Sequence, residues 1–427
     1  MAKRLTLYIL IAMLAGIVVG ITLNETIADR ATLTNVTGYI SILTDIFLRL
    51  IKMIIAPLVF ATLVTGIAHM GDTAALGRVG MRSVAWFISA SLLSLSLGLV
   101  MVNLLQPGVG VDLVLPPEGA SAGLAQADFS LKQFVTHLVP KSFFEAMADN
   151  EILQIVIFSV FTGVAITAIG EKAAPLVRGI EALVHVMLQI TDYVMRFAPF
   201  AVFAAVTTAL AEQGPAILLS FGKFMGSFYL SMLLLWLILL VLCFLIVGGR
   251  SKLLVRYIRE PILLAFSTAS SEAAFPRTLE ALDRFGVPPK IASFVLPLGY
   301  SFNLDGSMMY CTFATMFIAQ AYGIDLSIGQ QITMLLVLMV TSKGIAGVPR
   351  ASLVIIAATL AFFDIPEGGL LLILAVDHFL DMGRSATNVV GNAVASVVVA
   401  KWEGSLDMIE PPEIEPPHAP SSHQGTA

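Results

Sequence analysis

Long apolar segments recur along almost the whole chain and limit the folds that it can adopt. A helix needs about 20 predominantly apolar residues to cross the hydrocarbon core of a bilayer. The chain has 427 residues, of which 57% are hydrophobic and only 12% are charged, whereas soluble domains average about 25% charged residues. We therefore predict an all-α, multi-pass (polytopic) membrane protein with eight transmembrane helices, at residues 5–23, 39–68, 83–105, 151–170, 181–211, 219–248, 290–320 and 370–402.

Two further apolar segments, at 258–287 and 330–363, are interrupted in the middle by small and polar residues. The first interruption reads STASSE (267–272) and the second reads TSKGIAGVPR (341–350). Interrupted membrane segments in corresponding positions indicate re-entrant hairpins beside a binding site near the midplane. We therefore expect two opposed re-entrant hairpins in addition to the eight crossings.

The distribution of lysine and arginine predicts that both termini are cytoplasmic. With eight crossings, the outer loops hold only Arg30, Lys132 and Lys141, and the inner segments hold most of the other basic residues. Cytoplasmic loops of membrane proteins carry such an excess of positive charge. The tail at 403–427 contains five prolines and no apolar periodicity, so we expect it to be disordered.

The last segment carries charges that a helix facing lipid does not tolerate. Each charge at the bilayer centre costs about 2.5–3.5 kcal/mol on insertion scales. Four polar residues follow one another at spacings of four, three and four: Asp377, Asp381, Arg384 and Asn388. This spacing places them on one helical face. Because the Arg384 guanidinium suits a carboxylate and Asp381 suits an ammonium group, the stripe predicts a site for a zwitterionic acid with a second carboxylate. The alternative is that Asp381 and Arg384 pair with each other.

A second polar group interrupts the segment 290–320, which contains LGYSFNLDGS (298–307). Glycines flank Asn303 and Asp305, and glycine permits an unwound turn that frees backbone carbonyls. Hard cations prefer carbonyl and carboxylate oxygens. The pattern predicts a cation site in a broken helix; the alternative is a kink in which Asp305 pairs with a neighbouring helix.

The first hairpin has a serine pair at its predicted tip. Ser270 and Ser271 can offer hydroxyl and backbone N–H groups to an anion, with the positive end of a half-helix behind them. The alternative is a serine-rich turn that packs tightly against helices. The adjacent Glu272 opposes anion binding unless it is protonated or paired.

We next compare the sequence with the patterns of metalloproteins, hydrolases and ion channels. The six histidines are scattered and both cysteines lie in apolar runs, so we predict no metal site and no cofactor. Neither the Gly-x-Ser-x-Gly nor the His-Glu-x-x-His motif of common hydrolases occurs, so we predict no enzyme. A passive ion channel, in which the buried charges line a pore, is the alternative of a different class. We expect the lipid bilayer as surroundings and no nucleic-acid partner.

Several motifs resemble those of the dicarboxylate/amino acid:cation symporter family, which includes bacterial glutamate, aspartate and C4-dicarboxylate transporters and the mammalian excitatory amino acid transporters. The resemblance runs from the first helix to about Gly404. It is strongest in RLIKMIIAPLVFATLVTGI (49–67), SSEAAFP (270–276), SFNLDG (301–306), SKGIAGVP (342–349) and DMGRSATNVVGN (381–392).

The resemblance implies an elevator-type transporter fold in a homotrimer, located in the plasma (bacterial inner) membrane. Scaffold helices 1–2 would lie at 1–70 and scaffold helices 4–5, with the outer loop, at 107–215. The mobile transport domain would comprise helix 3 at 78–106 and a core at 216–402 that contains helix 6, both hairpins, helix 7 and helix 8. The outer hairpin would serve as the extracellular gate.

The resemblance also implies roles for individual residues. Arg384 would bind the distal carboxylate of the substrate, and Asp381 its amino group. The remaining substrate-binding residues would be Asn388, Ser385, Ser307, Ser270, Ser271 and Gly347. The cation-binding residues would be Gly299, Ser301, Asn303, Asp305, Asn388, Asn392 and Ser342.

Departures from the family pattern bear on the coupling ion. Asn392 stands where sodium-coupled members often carry aspartate, Ile345 replaces a frequent threonine, and Ala90 stands where those members often have threonine. Fewer anionic and hydroxyl ligands weaken a sodium site. We expect coupling to H⁺ or Na⁺, with the balance toward H⁺, and name Glu272 and Asp305 as candidate proton carriers.

The substrate expectation depends on Asp381. C4-dicarboxylates have no amino group, and members that carry them often lack a carboxylate at this position, so Asp381 favours glutamate or aspartate. However, SSEAAFP (270–276) and NVVGNAVASVVVAKW (388–402) also resemble the dicarboxylate branch. Succinate, fumarate or malate is therefore the alternative substrate.

Overall fold

The computed structural model of the protein describes residues 2–68, 73–110, 136, 138–341, 351–374 and 376–406. Helices make up most of this part of the chain, and no β-strand occurs in it. The all-α prediction is therefore confirmed for the described residues.

Sixteen α-helices lie within the described ranges. Their bounds are α1 Ala2–Thr26, α2 Arg30–Ala68, α3 Thr73–Leu105, α4 Phe143–Ala148, α5 Ile152–Ile169, α6 Ala174–Met195, α7 Ala198–Ser220, α8 Gly222–Val247, α9 Ser251–Thr268, α10 Phe275–Phe285, α11 Pro289–Phe302, α12 Asp305–Ala321, α13 Ile328–Thr341, α14 Ala351–Phe362, α15 Leu370–Leu374 and α16 Asp377–Trp402.

Long apolar helices dominate the first part of the chain. By length and composition, five helical stretches of the described residues can cross a membrane: Leu7–Thr26, Arg30–Ala68, Ala75–Leu105, Ile152–Met195 and Gly222–Thr268. The predicted segment 290–320 is divided into α11 and α12, and the predicted segment 370–402 is divided into the short α15 and the 26-residue α16. The number of crossings, eight, stays a prediction.

The prediction of one continuous helix at 181–211 is wrong. Helix α6 ends at Met195, and α7 begins at Ala198. Pro199 explains the break, because in a continuous helix it would leave the Met195 carbonyl without its donor and would clash with it. Pro199 lies in the first turn of α7, where backbone N–H groups have no partner within the helix. Its missing N–H therefore costs no helical hydrogen bond.

The first interrupted segment forms the predicted helical hairpin. Helix α9 ends at Thr268, the chain reverses at Ala269 in the left-handed region (φ 49°), and α10 begins at Phe275 after a short 3₁₀ turn. Helices α9 and α10 pack against each other. In the second interrupted segment α13 also packs against α14, but the tip at 342–350 lies outside the described residues.

Helix α16 forms the centre of the molecule. Every residue from Met382 to Ala400 is buried, and the helix packs against α8, α9, α11 and α12. The polar side chains of Arg384, Asn388 and Asn392 are therefore buried among other helices, as the charge stripe predicts.

A second group of helices surrounds α2, which packs against α5, α6 and α7. Helix α1 packs along α7, where a Cβ on Gly16 would lie 2.9 Å from the Phe203 carbonyl and one on Gly20 would lie 2.7 Å from the Thr207 carbonyl. Two small residues four positions apart permit this close approach. The division into scaffold and transport domain stays a prediction, and the predicted disordered tail lies outside the described residues beyond Leu406.

Candidate functional site

Arg384 is held in the middle of the helix bundle by two carboxylates and one aromatic ring. Its Nη2 lies 3.0 Å from Asp377 Oδ1 and 2.9 Å from Asp381 Oδ1. The guanidinium carbon stands 4.0 Å from the centre of the Tyr310 ring, and the Tyr310 hydroxyl donates to Asp377 at 3.1 Å. A stacked, doubly paired guanidinium has few rotamers left, so its remaining N–H groups point in fixed directions.

The free N–H donors of Arg384 are the most informative feature of the site. Arg384 is 3% exposed, yet its Nε and Nη1 atoms have no hydrogen-bond partner among the described residues. Leaving charged donors buried and unsatisfied is costly. Such charged N–H donors suit a carboxylate. Nε and Nη1 lie on opposite sides of the guanidinium, so a bidentate contact would pair either of them with Nη2.

The two aspartates beside Arg384 differ in accessibility. The Asp381 side chain is 42% exposed, whereas that of Asp377 is 13% exposed. Asp381 can therefore reach a ligand that enters from the open side, while Asp377 holds the arginine. The pairing of Asp381 with Arg384, which was the alternative interpretation of the spacing, is present, but it uses only one of the guanidinium nitrogens.

Asn388 connects this cluster to the break between α11 and α12. Its Oδ1 accepts a hydrogen bond of 2.9 Å from the backbone N–H of Gly306, and its Nδ2 donates to Ser307 Oγ at 3.4 Å. The side chain thus satisfies one of the N–H groups that the start of a helix leaves open. Of the predicted substrate residues, Ser385 is also buried on α16.

The predicted cation residues meet at the break one turn further along α16. The Nδ2 atom of Asn303 donates to Asp305 Oδ2 at 3.1 Å and to Asn392 Oδ1 at 3.2 Å. Ser94 of α3 donates to Asp305 Oδ1 at 3.1 Å. Asn303 and Asp305 are completely buried. This arrangement confirms that the helix is broken here, and it places a carboxylate among neutral amide and hydroxyl groups.

This second cluster has a buried oxygen available for a cation. Asn303 Oδ1 has no hydrogen-bond partner among the described residues, and it belongs to the amide that contacts both Asp305 and Asn392. Amide and carboxylate oxygens are the kinds of ligand that a hard cation prefers. The Gly299 carbonyl accepts the Asn303 N–H at 2.7 Å, and Ser301, the next-to-last residue of α11, is buried directly before the break.

Two glycines make the close packing of the clusters possible. A Cβ on Gly391 would overlap the carboxylate of Asp305, and one on Gly306 would lie 2.5 Å from the carbonyl oxygen of Arg384. Because neither residue has a side chain, α16 and the start of α12 approach each other closely enough for the polar groups to touch.

The tip of the first hairpin contains the predicted residues Ser270, Ser271 and Glu272, and the structure describes all three. Ser270 Oγ accepts the Ala273 N–H at 3.2 Å, so in this conformation the hydroxyl caps its own turn, and Ser271 is half-buried. Glu272 is exposed and lines a small cavity of about 50 Å³ together with Tyr300 and Ser301. Ser342 and Gly347 of the second hairpin lie outside the described residues.

Three residues of the site have functions that the sequence did not reveal. Tyr310 stacks on Arg384, Asp377 pairs with it, and Ser94 binds Asp305. Asp377 belongs to the polar stripe and so could have been assigned to Arg384. For Tyr310 and Ser94 the signal is weak, because tyrosine and serine are common in membrane helices.

With this geometry established, comparison with known proteins identifies the class. The chain matches the model of the sodium:dicarboxylate symporter family over residues 5–402. It therefore belongs to this family of dicarboxylate and glutamate:cation symporters, and it is a transporter and not an enzyme.

Relatives of two substrate classes are about equally similar to the chain. It is 40% identical to the proton/sodium-glutamate symport protein of Bacillus caldotenax over 385 residues, which is 87% of this chain and 90% of the relative. It is 40% identical to the proton/glutamate-aspartate symporter of Escherichia coli over 407 residues, 93% of each. It is also 40% identical to the C4-dicarboxylate transport protein of Laribacter hongkongensis over 410 residues, 95% of this chain and 91% of the relative.

Proposed function

We propose that the protein takes up an acidic amino acid, glutamate or aspartate, together with H⁺ and/or Na⁺ across the plasma (bacterial inner) membrane. The observation that carries this proposal is the pair of buried Arg384 donors without a partner, Nε and Nη1, beside the partly exposed carboxylate of Asp381. One of these donors, together with Nη2, would bind the distal carboxylate of the substrate, and Asp381 would bind its ammonium group. Ser385, Asn388 and Ser307 would line the remainder of the pocket.

The coupling ion would bind at the broken helix. Asn303 Oδ1, Asp305 and the surrounding carbonyls would hold Na⁺, or Asp305 would carry H⁺, with Glu272 as the second candidate carrier. Asn388 contacts the start of α12 at Gly306 and lies between Arg384 and Asn392 on α16. Ordering of the break by an ion would therefore also position the substrate pocket, which is a physical basis for coupling. The asparagine at position 392 favours H⁺.

An elevator movement within a homotrimer would carry the loaded site across the membrane. The inner hairpin meets α6 through a salt bridge of 2.7 Å between Arg277 and Asp192, which such a movement must break. A bismaleimide cross-link between Arg277→Cys and Asp192→Cys, which spans the length of the arginine side chain, should therefore block uptake. A cross-link between Arg277→Cys and Glu280→Cys, within one helix, should not; equal uptake by both cross-linked proteins would contradict the movement.

A C4-dicarboxylate symporter is the second candidate, because dicarboxylate transport proteins are as similar to the chain as glutamate symporters. In that case Asp381 would serve only as a structural partner of Arg384. Its exposed side chain argues for the amino acid, because a purely structural carboxylate gains nothing from facing the open side.

Uptake into proteoliposomes tests the proposal. Radiolabelled L-glutamate, L-aspartate and succinate would each be supplied under a proton gradient alone and under a sodium gradient alone. We expect saturable accumulation of the amino acids under the proton gradient. Accumulation only with sodium would overturn the preference for H⁺, succinate uptake without glutamate uptake would overturn the substrate, and flux without accumulation would indicate a channel.

A further inference from the structure

A large apolar groove lies between α1, α8, α9 and α16, on the side of α16 away from the polar clusters. It encloses about 540 Å³. Apolar side chains form most of its wall: Leu10, Leu233, Trp236, Ile262, Leu263 and Phe266. Among the described residues that line it, Arg259 is the one with a charge.

Arg259 is the deepest member of a basic row on α9. Lys252, Arg256 and Arg259 are all exposed and follow one another at spacings of four and three, which puts them on one helical face. None of them forms a salt bridge with a described carboxylate. At 1.5 Å per residue, the row extends over roughly 10 Å along the helix.

The row begins at the membrane surface and leads inward. Helix α8 is long and apolar enough to cross the membrane and ends at Val247, and α9 begins at Ser251 after one short turn. Lys252 therefore lies near the surface, Arg259 lies deeper, and Ile262 and Phe266 lie deeper still. Cations near the surface above an apolar groove match the polarity of an acidic phospholipid.

We propose that this groove binds an anionic phospholipid, with its phosphate at Arg256 and Arg259 and an acyl chain against α1 and α8. The floor of the groove includes Gly383, Ala386 and Thr387, which belong to the helix that carries Arg384. Trp236 in the wall donates to Thr387 at 2.8 Å. Occupancy of the groove would therefore support α16 from behind the substrate site.

Lipid binding to the purified full-length protein tests this inference. Native mass spectrometry would compare dioleoyl phosphatidylglycerol with dioleoyl phosphatidylcholine. Because each cation near an anionic headgroup contributes about a fivefold change in affinity, Arg259→Gln should lower phosphatidylglycerol binding about fivefold, and the double variant with Arg256→Gln about 25-fold. The control Arg178→Gln, at an exposed arginine of α6, should change nothing.

A second variant tests the apolar part of the site without changing charge. Leu233→Trp, at an exposed position of the groove wall, should also reduce phosphatidylglycerol binding, because the larger side chain fills the space for the acyl chain. Equal binding of the two lipids by the unaltered protein, or full retention of phosphatidylglycerol by the double arginine variant, would overturn the proposal. If the arginine variants lose phosphatidylglycerol binding and Leu233→Trp binds this lipid fully, the acyl chain does not lie in the groove.

Discussion

The two polar clusters on α16 compensate buried charge in different ways. At Arg384, one cation is shared by two carboxylates, and one of them, Asp381, opens to the exterior. At Asp305, a completely buried carboxylate receives hydrogen bonds from the neutral groups of Ser94 and Asn303. The first cluster contains its own cation, whereas the second surrounds its carboxylate with the neutral donors named here and so offers negative charge to a cation.

This difference separates the tasks of the two clusters. The open cluster, which contains charges of both signs, suits an organic ion that brings both charges with it, since a zwitterion with a second carboxylate can replace the contacts of Arg384 and Asp381 together. The enclosed cluster suits a small ion that can lose its water. The following four changes test this division of tasks, from the largest expected effect to the smallest.

Arg384→Lys should abolish the organic-ion site while it keeps the charge balance. Lysine cannot present a bidentate edge, and loss of one partner in a buried charged pair costs about 2–5 kcal/mol, roughly 30- to 5,000-fold. We expect the loss of glutamate uptake to fall in this range, with little change in thermal unfolding, because Asp377 and Asp381 keep a cationic neighbour. Substantial uptake by a folded Arg384→Lys variant would exclude Arg384 as the carboxylate ligand.

Asp305→Asn should uncouple uptake from the ion gradient. The change removes the charge that a cation requires and keeps the shape, so we expect concentrative uptake to fall about 100-fold, within the range for lost charged pairs. Ser94→Ala is the matched control, since it removes one hydrogen bond to the carboxylate and keeps the charge; it should cost about tenfold. Gradient-driven accumulation by Asp305→Asn would contradict an ion site at the break.

Asp381→Asn should change substrate preference more than total activity. Its side chain is partly exposed, so solvent weakens its interaction with an ammonium group, and we expect roughly a tenfold loss of glutamate binding. Binding of succinate should be unchanged or stronger, because succinate has no ammonium group. Isothermal titration with both ligands measures the ratio, and an equal loss for both would assign Asp381 a structural role only.

Gly391→Ala should have the smallest effect and should act on the enclosed cluster. The new Cβ would press on the Asp305 carboxylate, and overpacking of this kind destabilises by about 1–3 kcal/mol. Gly226→Ala on α8, where a Cβ meets nothing within 4 Å, is the control and should be neutral or slightly stabilising. Thermal unfolding distinguishes the two; similar melting temperatures would mean that the clusters are less tightly packed than described.

The elements that follow from hydropathy and from interruptions of the apolar segments could be predicted from the sequence. The inner hairpin, the break between Phe302 and Asp305, and the inward-facing stripe on α16 all follow from strong local signals. The break before Pro199 was missed because the predicted segment 181–211 was treated as one apolar run. The sequence does not show where a helix begins, so it does not show whether Pro199 lies in a first turn or in a helix interior.

Contacts between distant segments were harder to predict. The partners that fix Arg384 and Asp305 include Tyr310 and Ser94, which come from helices far away in sequence. Their side chains acquire these functions only through packing that glycines such as Gly391 permit. Amino-acid composition and residue spacing do not predict that packing.

The most direct test of the division between the clusters is a cryo-EM structure with L-glutamate bound at saturating ion concentration. We predict density for the distal carboxylate at the free Nε or Nη1 donor of Arg384 and for the amino group at Asp381, with the Asn303–Asp305 cluster occupied separately. Glutamate density elsewhere, or the absence of density at both donors with both aspartates still bound to Arg384, would contradict the account.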